Sequence, residues 1–422
     1  MSKIIFQTQL PSRCLKDAPK EEVSINSQWL IRGGFINRLM AGVYSYLPLG
    51  VRVLQKVEAI VREEMDATGS SEILMPALHP QQVWETTGRW DKMADIIYKV
   101  SDGGDKTFGL GPTHEEIVTP LMGTFIQSYK DLPISVYQIQ TKYRKEARPK
   151  SGLLRGREFR MKDMYSFHTD QTDLDSYYER VIQAYHNVFK RCGIGDRTFL
   201  TFASGGAFSK YSHEFQAITP YGEDTIYLDR DKKIAVNKEI IDEVSSDLGI
   251  SKESTEAVKA IEVGNIFKLG TRFTDAFGVN ATSQDGNKGQ VYMGCYGIGT
   301  SRIVGTCVEL CNDQSGIIWP QSIAPFDAHI IIIGKEDAVY DTAKEVAASL
   351  VAIGKETLID DRNCSPGQKF AESDIIGIPY RIIISSKLHE KSMVEIKDRK
   401  TGETIQCNKS ELVEKYLQFS NR

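Results

Sequence analysis

Residues 135–168 read SVYQIQTKYRKEARPKSGLLRGREFRMKDMYSFH, and this stretch decides the fold. Both arms alternate apolar and polar residues, the period of a strand with one buried face. Pro149-Lys150-Ser151-Gly152 lies between them as a turn signal. The pattern predicts a long antiparallel hairpin with a basic loop. From 142 to 162 there are nine bases (Lys142, Arg144, Lys145, Arg148, Lys150, Arg155, Arg157, Arg160, Lys162) and two acids (Glu146, Glu158), a net +7. Charge alone leaves two readings, a solvated hairpin or a pocket for phosphates. Across an antiparallel pair, residues on one face meet. Arg144 and Glu146 on one arm can then face Phe159 on the other. Such a face offers a guanidinium for phosphate or carboxylate, an acceptor for an amine, and a ring for stacking. Those are the needs of an ATP site without a P-loop. A simple cross-strand ion pair is the alternative.

Outward from the hairpin, residues 51–66 carry Val53, Val57, Ile60 and Val61 at helical spacing, and Gly69 ends that helix. Residues 72–76 read as a short strand stopped by Pro76. Residues 114–130 and 173–191 read as helices, the second capped by Thr172 or Asp173. Residues 225–228 and 234–236 form a ribbon, and 238–258 a polar helix with a loose connector. A strand ending in Gly294-Cys295-Tyr296 runs into Gly297-Ile298-Gly299-Thr300-Ser301-Arg302 and a further helix. Beyond Ile323 the pattern changes to strand 328–334, helix 337–353, strand 357–360, helix 367–376 and strand 380–385. Two short strands and a helix follow. This is a separate α/β domain with a mostly parallel start.

The chain has 422 residues, enough for two or three domains at about 100–200 residues each. At 41% hydrophobic and 26% charged residues, disorder, collagen and disulfide scaffolds are excluded. The longest apolar run, 328–334, is far short of the roughly 20 residues that span a bilayer. The first residues lack an apolar signal core, and Asp17, Glu21 and Glu22 oppose a transit peptide. Seven cysteines without a CxxC pair suggest reduced thiols and a cytoplasmic protein. The net charge of −4 does not mark the whole chain as a nucleic-acid binder.

Gly297-Ile298-Gly299 does not make a dinucleotide fingerprint, because Arg302 replaces the third glycine. GxxxxGK[ST] and HExxH are absent. His114-Glu115-Glu116 and His213-Glu214 lack a second histidine at metal spacing. Cys307 and Cys311 read as core thiols.

Taken in order, these segments resemble a class II aminoacyl-tRNA synthetase, and closely the bacterial-type prolyl-tRNA synthetases. Residues 69–76 after a long helix resemble motif 1, the dimer-interface element. The hairpin with Arg144, Glu146 and Phe159 resembles motif 2, and residues 297–302 motif 3. Gly111-Pro112-Thr113-His114-Glu115-Glu116, Tyr165-Ser166-Phe167-His168, Ser212-His213-Glu214-Phe215 and Gly294-Cys295-Tyr296-Gly297 resemble the prolyl-type signatures. Asp360-Asp361-Arg362 through Pro366-Gly367-Gln368-Lys369-Phe370 resembles the anticodon-binding domain of the same subclass. Gly111 and Thr300 stand where the family varies.

The resemblance implies an α+β catalytic domain over 1–320, an antiparallel sheet with helices and a small insertion at about 221–260. An α/β anticodon-binding domain over 323–422 follows. It implies a cytoplasmic proline–tRNA ligase that uses ATP and Mg²⁺, binds proline and tRNA(Pro), and forms a homodimer. Arg144 and Arg302 would be catalytic. ATP would meet Arg144 at the α-phosphate, Glu146 at the adenine amino group, Phe159 at the ring, and Arg155 and Arg302 at the γ-phosphate. Proline would meet Thr113 and Glu115 at its imino group and Arg144 at its carboxylate, in a pocket lined by Asp163 and His213, with Tyr165 and Cys295 close by. Arg362 and Lys369 are the candidates for anticodon contact. The ligands of Mg²⁺ are not legible. The editing domain that many bacterial relatives carry between motifs 2 and 3 has no room in residues 216–290, so a separate protein acting in trans would have to remove mischarged tRNA. A threonyl-tRNA synthetase would need a pocket zinc set, which is missing. A catalytically silent paralogue would not need Arg144, Glu146, Phe159 and Arg302.

Overall fold

The computed structural model describes residues 4–420 apart from 148, 150, 207–210, 233 and the side chain of residue 245. Contacts divide the described residues into two compact units. One comprises 40–43 with 57–306, and the other comprises the rest.

The first unit is built on a nine-stranded sheet. In spatial order its strands are Tyr211–Ile218, Thr198–Ser204, Ile234–Asn237, Asp224–Asp229, Glu256–Gly270, Tyr292–Ile298, Glu158–His168, Ile134–Tyr143 and Ser71–Glu72. The hairpin expected from the sequence is its longest ladder. Ile134 faces Phe167 at one end and Tyr143 faces Glu158 at the other. Beyond the strands the arms stay together, with the Arg144 amide donating to the Arg157 carbonyl at 2.9 Å.

Register sorts the side chains onto two faces. Tyr165 opposes Cys295, which opposes Phe267; Asp163 opposes Gly297. That row packs with Val118 and Met122 of the helix Glu115–Gly123. Met164 opposes Tyr296, which opposes Ile266, which opposes His213. This second row lies under the helix Gln171–Arg191, where Tyr178 meets Tyr296 and Tyr185 meets Phe215. That helix begins one turn-cap earlier than Thr172 or Asp173 suggest. Asp170 is the cap, its carboxylate accepting from the Asp173 amide at 2.9 Å.

Two helices are shorter than their sequence patterns. The 114–130 segment is α-helical only over Glu115–Gly123, with Pro120 inside it, and ends in the 3-10 turn Tyr129–Asp131. Residues 238–258 hold a helix at Ile241–Leu248 whose Ile241 and Val244 are buried with Val236, Ile240 and Ile250. The ribbon beside it, Asp224–Asp229 and Ile234–Asn237, belongs to the main sheet.

The second unit contains a six-stranded sheet in the order Ile4–Phe6, Thr357–Asp360, Ala328–Ile333, Tyr380–Ser385, Met393–Asp398, Thr404–Asn408. The first four strands are parallel and the last two antiparallel. The helices Asp337–Ala352 and Leu412–Ser420 bury Val339, Val346, Leu350, Leu412, Tyr416 and Phe419 with Ile330, Ile332 and Ile382. The sequence pattern of 323–422 omits one strand of this sheet. Ile4–Phe6 pairs with Thr357–Asp360 from the other end of the chain. Thr8 then donates its amide (3.0 Å) and hydroxyl (2.5 Å) to Asp361.

Candidate active site

A cavity of about 260 Å³ opens on the hairpin and is lined by Arg144, Glu146, Arg155, Phe159, Glu262 and Arg302, among others. The structure thus brings together all five residues that the sequence assigns to ATP. The Arg144 guanidinium carbon lies 5.2 Å from the Phe159 ring centroid. Its Nε and Nη2 donate to the Pro112 carbonyl at 3.3 Å. Among the described residues no carboxylate forms an ion pair with it. Burial, with Arg302 nearby, pushes Arg144 below its ordinary value. Arg302 donates to the carbonyls of Leu154 and Glu262, each at 2.8 Å, and lies 3.4 Å from the Glu262 carboxylate. Glu146 and Arg155 pair with each other at 2.8 Å.

The Gly297-x-Gly299 turn delivers Arg302 to this cavity. A Cβ on Gly297 would lie 2.7 Å from Asn265 Oδ1 and 2.8 Å from Met161 Cε. Close backbone passage explains the glycine better than nucleotide binding does. Ser301 Oγ fixes the following helix to the hairpin, meeting the Arg160 amide and carbonyl at 3.2 Å.

A second cluster lies on the Tyr165–Cys295 face. Thr113 Oγ1 donates to Glu115 at 2.7 Å and Cys295 Sγ donates to it at 3.1 Å. Tyr165 donates to Asp163 at 3.0 Å, and the His114 amide donates to the Tyr165 oxygen at 3.0 Å. Five residues expected near proline, Thr113, Glu115, Asp163, Tyr165 and Cys295, therefore share one buried group. Arg144 touches its edge through Pro112.

His213 is not part of that group, which corrects the expectation that it lines the proline pocket. Its row is the opposite face of the sheet. It shares a 2.9 Å hydrogen bond with the Tyr178 hydroxyl and lines an apolar cavity of about 310 Å³ with Phe202, Ile240 and Val244. Burial pushes its imidazole down to about 4. The Arg362 and Lys369 assignment is corrected too. Arg362 is bound to Asp360 at 2.7 Å and also to Glu372. Lys369 is 3% exposed and donates to the carbonyls of Ile332 (2.9 Å) and Asp360 (3.0 Å). Lys369 is buried inside the domain, and the charge of the partly exposed Arg362 is matched by two carboxylates.

The basic run is also less basic than it reads. Lys142 and Lys162 are fully buried. Lys142 pairs with Asp163 at 2.7 Å; burial pushes that carboxyl up, but Lys142 outweighs it and holds it below the usual range. Lys162 donates to Tyr185 (2.6 Å) and the Tyr296 carbonyl (2.9 Å), and burial pushes it down to about 7. Arg160 pairs with Glu58 at 2.9 Å. Arg148 and Lys150 fall outside the described residues.

Sequence reasoning missed Arg89, which carries no motif. It is 1% exposed and donates to Glu115 at 3.2 Å and to Glu116 at 3.0 Å. It also missed the acidic wall of the cavity, Glu223, Asp224 and Glu262. Burial pushes Asp224 up, with Glu262 adding to it. Behind it Glu214 is pushed up to about 8, by burial first and then by Glu262.

Comparison with known proteins places this architecture. Residues 98–311 match the family described as tRNA synthetase class II core domain (G, H, P, S and T), and residues 327–418 match the anticodon binding domain. The fold also resembles the Giardia lamblia prolyl-tRNA synthetase in complex with prolyl-adenylate, with a TM-score of 0.77 at 20% identity over 93% of this chain and 77% of that one. Catalytic core and anticodon domain together are those of a class II tRNA synthetase.

The curated proline–tRNA ligase of Wolbachia sp. subsp. Drosophila simulans (strain wRi) is 37% identical over 414 residues, 94% of this chain and 96% of the other. That of Halalkalibacterium halodurans is 31% identical, covering 94% and 96%. The latter alignment spans 549 positions, more than this chain has residues, so that relative carries a stretch with no counterpart here. The chain belongs to the proline–tRNA ligase family.

Proposed function

We infer that the protein activates proline with ATP and transfers it to tRNA(Pro). One observation carries the chemistry: among the described residues Arg144 has no carboxylate ion-pair partner, and it stands over Phe159 at the cavity shared with Glu146 and Arg302, beside the Thr113–Glu115 group. A carboxylate oxygen of proline attacks the α-phosphorus of ATP, the bond to the bridging oxygen breaks, and pyrophosphate leaves. The nucleophile is already ionised and needs no general base. The obstacle is charge, since two anions must meet and negative charge grows at the phosphorus. Fixed guanidinium groups aimed at that charge supply the stabilisation. Arg144 serves the carboxylate and α-phosphate, Arg302 and Arg155 the distal phosphates, and Phe159 stacks on adenine. Arg155 must exchange Glu146 for phosphate, which frees Glu146 to accept from the adenine amino group. Thr113 and Glu115 receive the ring nitrogen of proline. A ribose hydroxyl at the tRNA 3′ end then attacks the carbonyl of the adenylate, and AMP leaves.

Mg²⁺ fits the acidic wall. Among the described residues no group of three or more His, Cys, Asp or Glu could hold a metal by itself. Mg²⁺ needs only one or two carboxylates plus phosphate oxygens. Glu262 and Asp224 would hold it, and it would neutralise phosphate charge.

We further propose the division into a catalytic domain over 1–320 and an anticodon-binding domain over 323–422, the latter completed by the Ile4–Phe6 strand. A homodimer is supported by Leu74 and Leu78, exposed at 77% and 49% in and beside the motif 1 segment. A cytoplasmic location agrees with the seven free cysteines; no described helix is long and apolar enough to cross a membrane. Mischarged tRNA is released unless a separate protein clears it. Proline-dependent exchange of labelled pyrophosphate into ATP tests this reading.

A further inference from the structure

The group around Arg89 contains more negative charge than structure requires. Arg89 is buried between Trp84 and Phe273, with its guanidinium carbon 5.5 and 5.3 Å from their ring centroids. A buried guanidinium needs a carboxylate, and Glu115 at 3.2 Å is already one. Glu116 adds a second, at 3.0 and 3.2 Å from the same Nη1, and is itself fully buried. Thr87 Oγ1 holds it there at 2.8 Å. The next cation along, Lys142, is matched by Asp163. One arginine against two carboxylates therefore sets the charge of the pocket floor.

Accepting the reading of Glu115 as the partner of the proline ring nitrogen, we propose that Glu116 is a positioning residue. It takes up Arg89, so that Glu115 keeps a full negative charge for the cationic nitrogen of the substrate. With one carboxylate only, the incoming cation would meet a neutral buried ion pair. With both carboxylates ionised, it meets a net charge of −1, in surroundings of low polarity where that difference is large. Burial pushes the Glu116 carboxyl up to about 7, against the pull of Arg89. A second cation arriving beside Glu115 pulls the same way as Arg89, toward the ionised form.

The test is steady-state ATP–pyrophosphate exchange with the full-length enzyme, comparing wild type with three variants. Glu116→Gln keeps the shape and removes the charge. It should raise KM for proline tenfold or more, leaving kcat and KM for ATP within twofold. Glu116→Asp retains the charge and should stay within threefold of wild type for proline. Adding Arg89→Met to Glu116→Gln removes the cation that over-neutralises Glu115. It should lower KM for proline at least threefold relative to Glu116→Gln alone. An unchanged KM for proline in Glu116→Gln, a parallel rise for ATP, an Asp variant as impaired as Gln, or a double variant worse than the single would each overturn the proposal. If Glu116→Gln does not fold, the double variant is compared with Arg89→Met alone and with wild type: a KM for proline within threefold of wild type in the double variant supports the proposal, and a rise of tenfold or more overturns it. Wild-type enzyme that exchanges with no proline at all would instead remove the reading on which the proposal rests.

Discussion

The Arg144 guanidinium carbon stands 5.2 Å from the centroid of the Phe159 ring, on neighbouring arms of one hairpin. The stacking fixes a cation whose hydrogen bonds otherwise go to the Pro112 carbonyl. Arg144→Ala should leave folding intact and cost about 3–4 kcal/mol of transition-state stabilisation, the scale for one preorganised donor. Arg144→Lys should recover little, because an ammonium lacks the planar fork. The measurement is kcat/KM for proline activation; a value within tenfold of wild type in Arg144→Ala would refute the role.

His213 and Cys295 lie on opposite faces of the same sheet, so only one of them can face proline. His213→Asn should lose some stability through its contacts with Tyr178 and Phe202. Its KM for proline should stay within twofold of wild type. A tenfold rise would mean that His213 reaches the substrate, contrary to the register.

The hairpin was legible because strand alternation and turn chemistry agreed over its whole length. Once the two arms were in register, the meeting of Arg144 and Phe159 followed from geometry. His213 was misplaced because a motif says that residues lie near a site, not on which face of a strand they fall. Arg362 and Lys369 were misread because sequence shows their charge but not Asp360, Glu372 and the carbonyls that consume it. Arg89 was invisible for the same reason in reverse. Its partners, Glu115 and Glu116, come from a distant helix start, and only tertiary contact turns a surface-like arginine into a buried one. The Ile4–Phe6 strand is too short for periodicity to separate from loop.

His329 gives the second unit a pH dependence. Its Nδ1 meets Ser373 and its Nε2 meets Gln7, each at 3.1 Å, and burial pushes it down to about 3. A base with a depressed native value binds fewer protons folded than unfolded. Its stabilising effect is present above the unfolded value of 6.5 and is lost as pH falls toward 3. The slope for one such group is about 1.4 kcal/mol per pH unit. Denaturation of wild type and His329→Gln between pH 7 and pH 4 should show the wild type losing stability faster by about that slope. Parallel curves would contradict the neutral, buried assignment.

Alanine should be activated as well. It is smaller than proline, and its exclusion rests on lost apolar contact, worth about 1–3 kcal/mol per methylene. Glu115 and Arg144 serve both substrates. The described residues of 216–290 form strands of the catalytic sheet, the separate ribbon of Asn280–Thr282 and Lys288–Gln290, and two short helices, Ile241–Leu248 and Arg272–Ala276, with no hydrolytic domain among them. Preformed alanyl-tRNA added to the purified enzyme should decay at the spontaneous rate. Hydrolysis clearly above that rate would require an editing site in this chain.

Joining proline to ATP is the reaction assigned to this site. Labelled pyrophosphate exchange into ATP, run in parallel with proline and with threonine, tests it most directly. Exchange should saturate with proline and stay at background with threonine. Exchange driven by threonine, or none with proline from a folded enzyme, would contradict it.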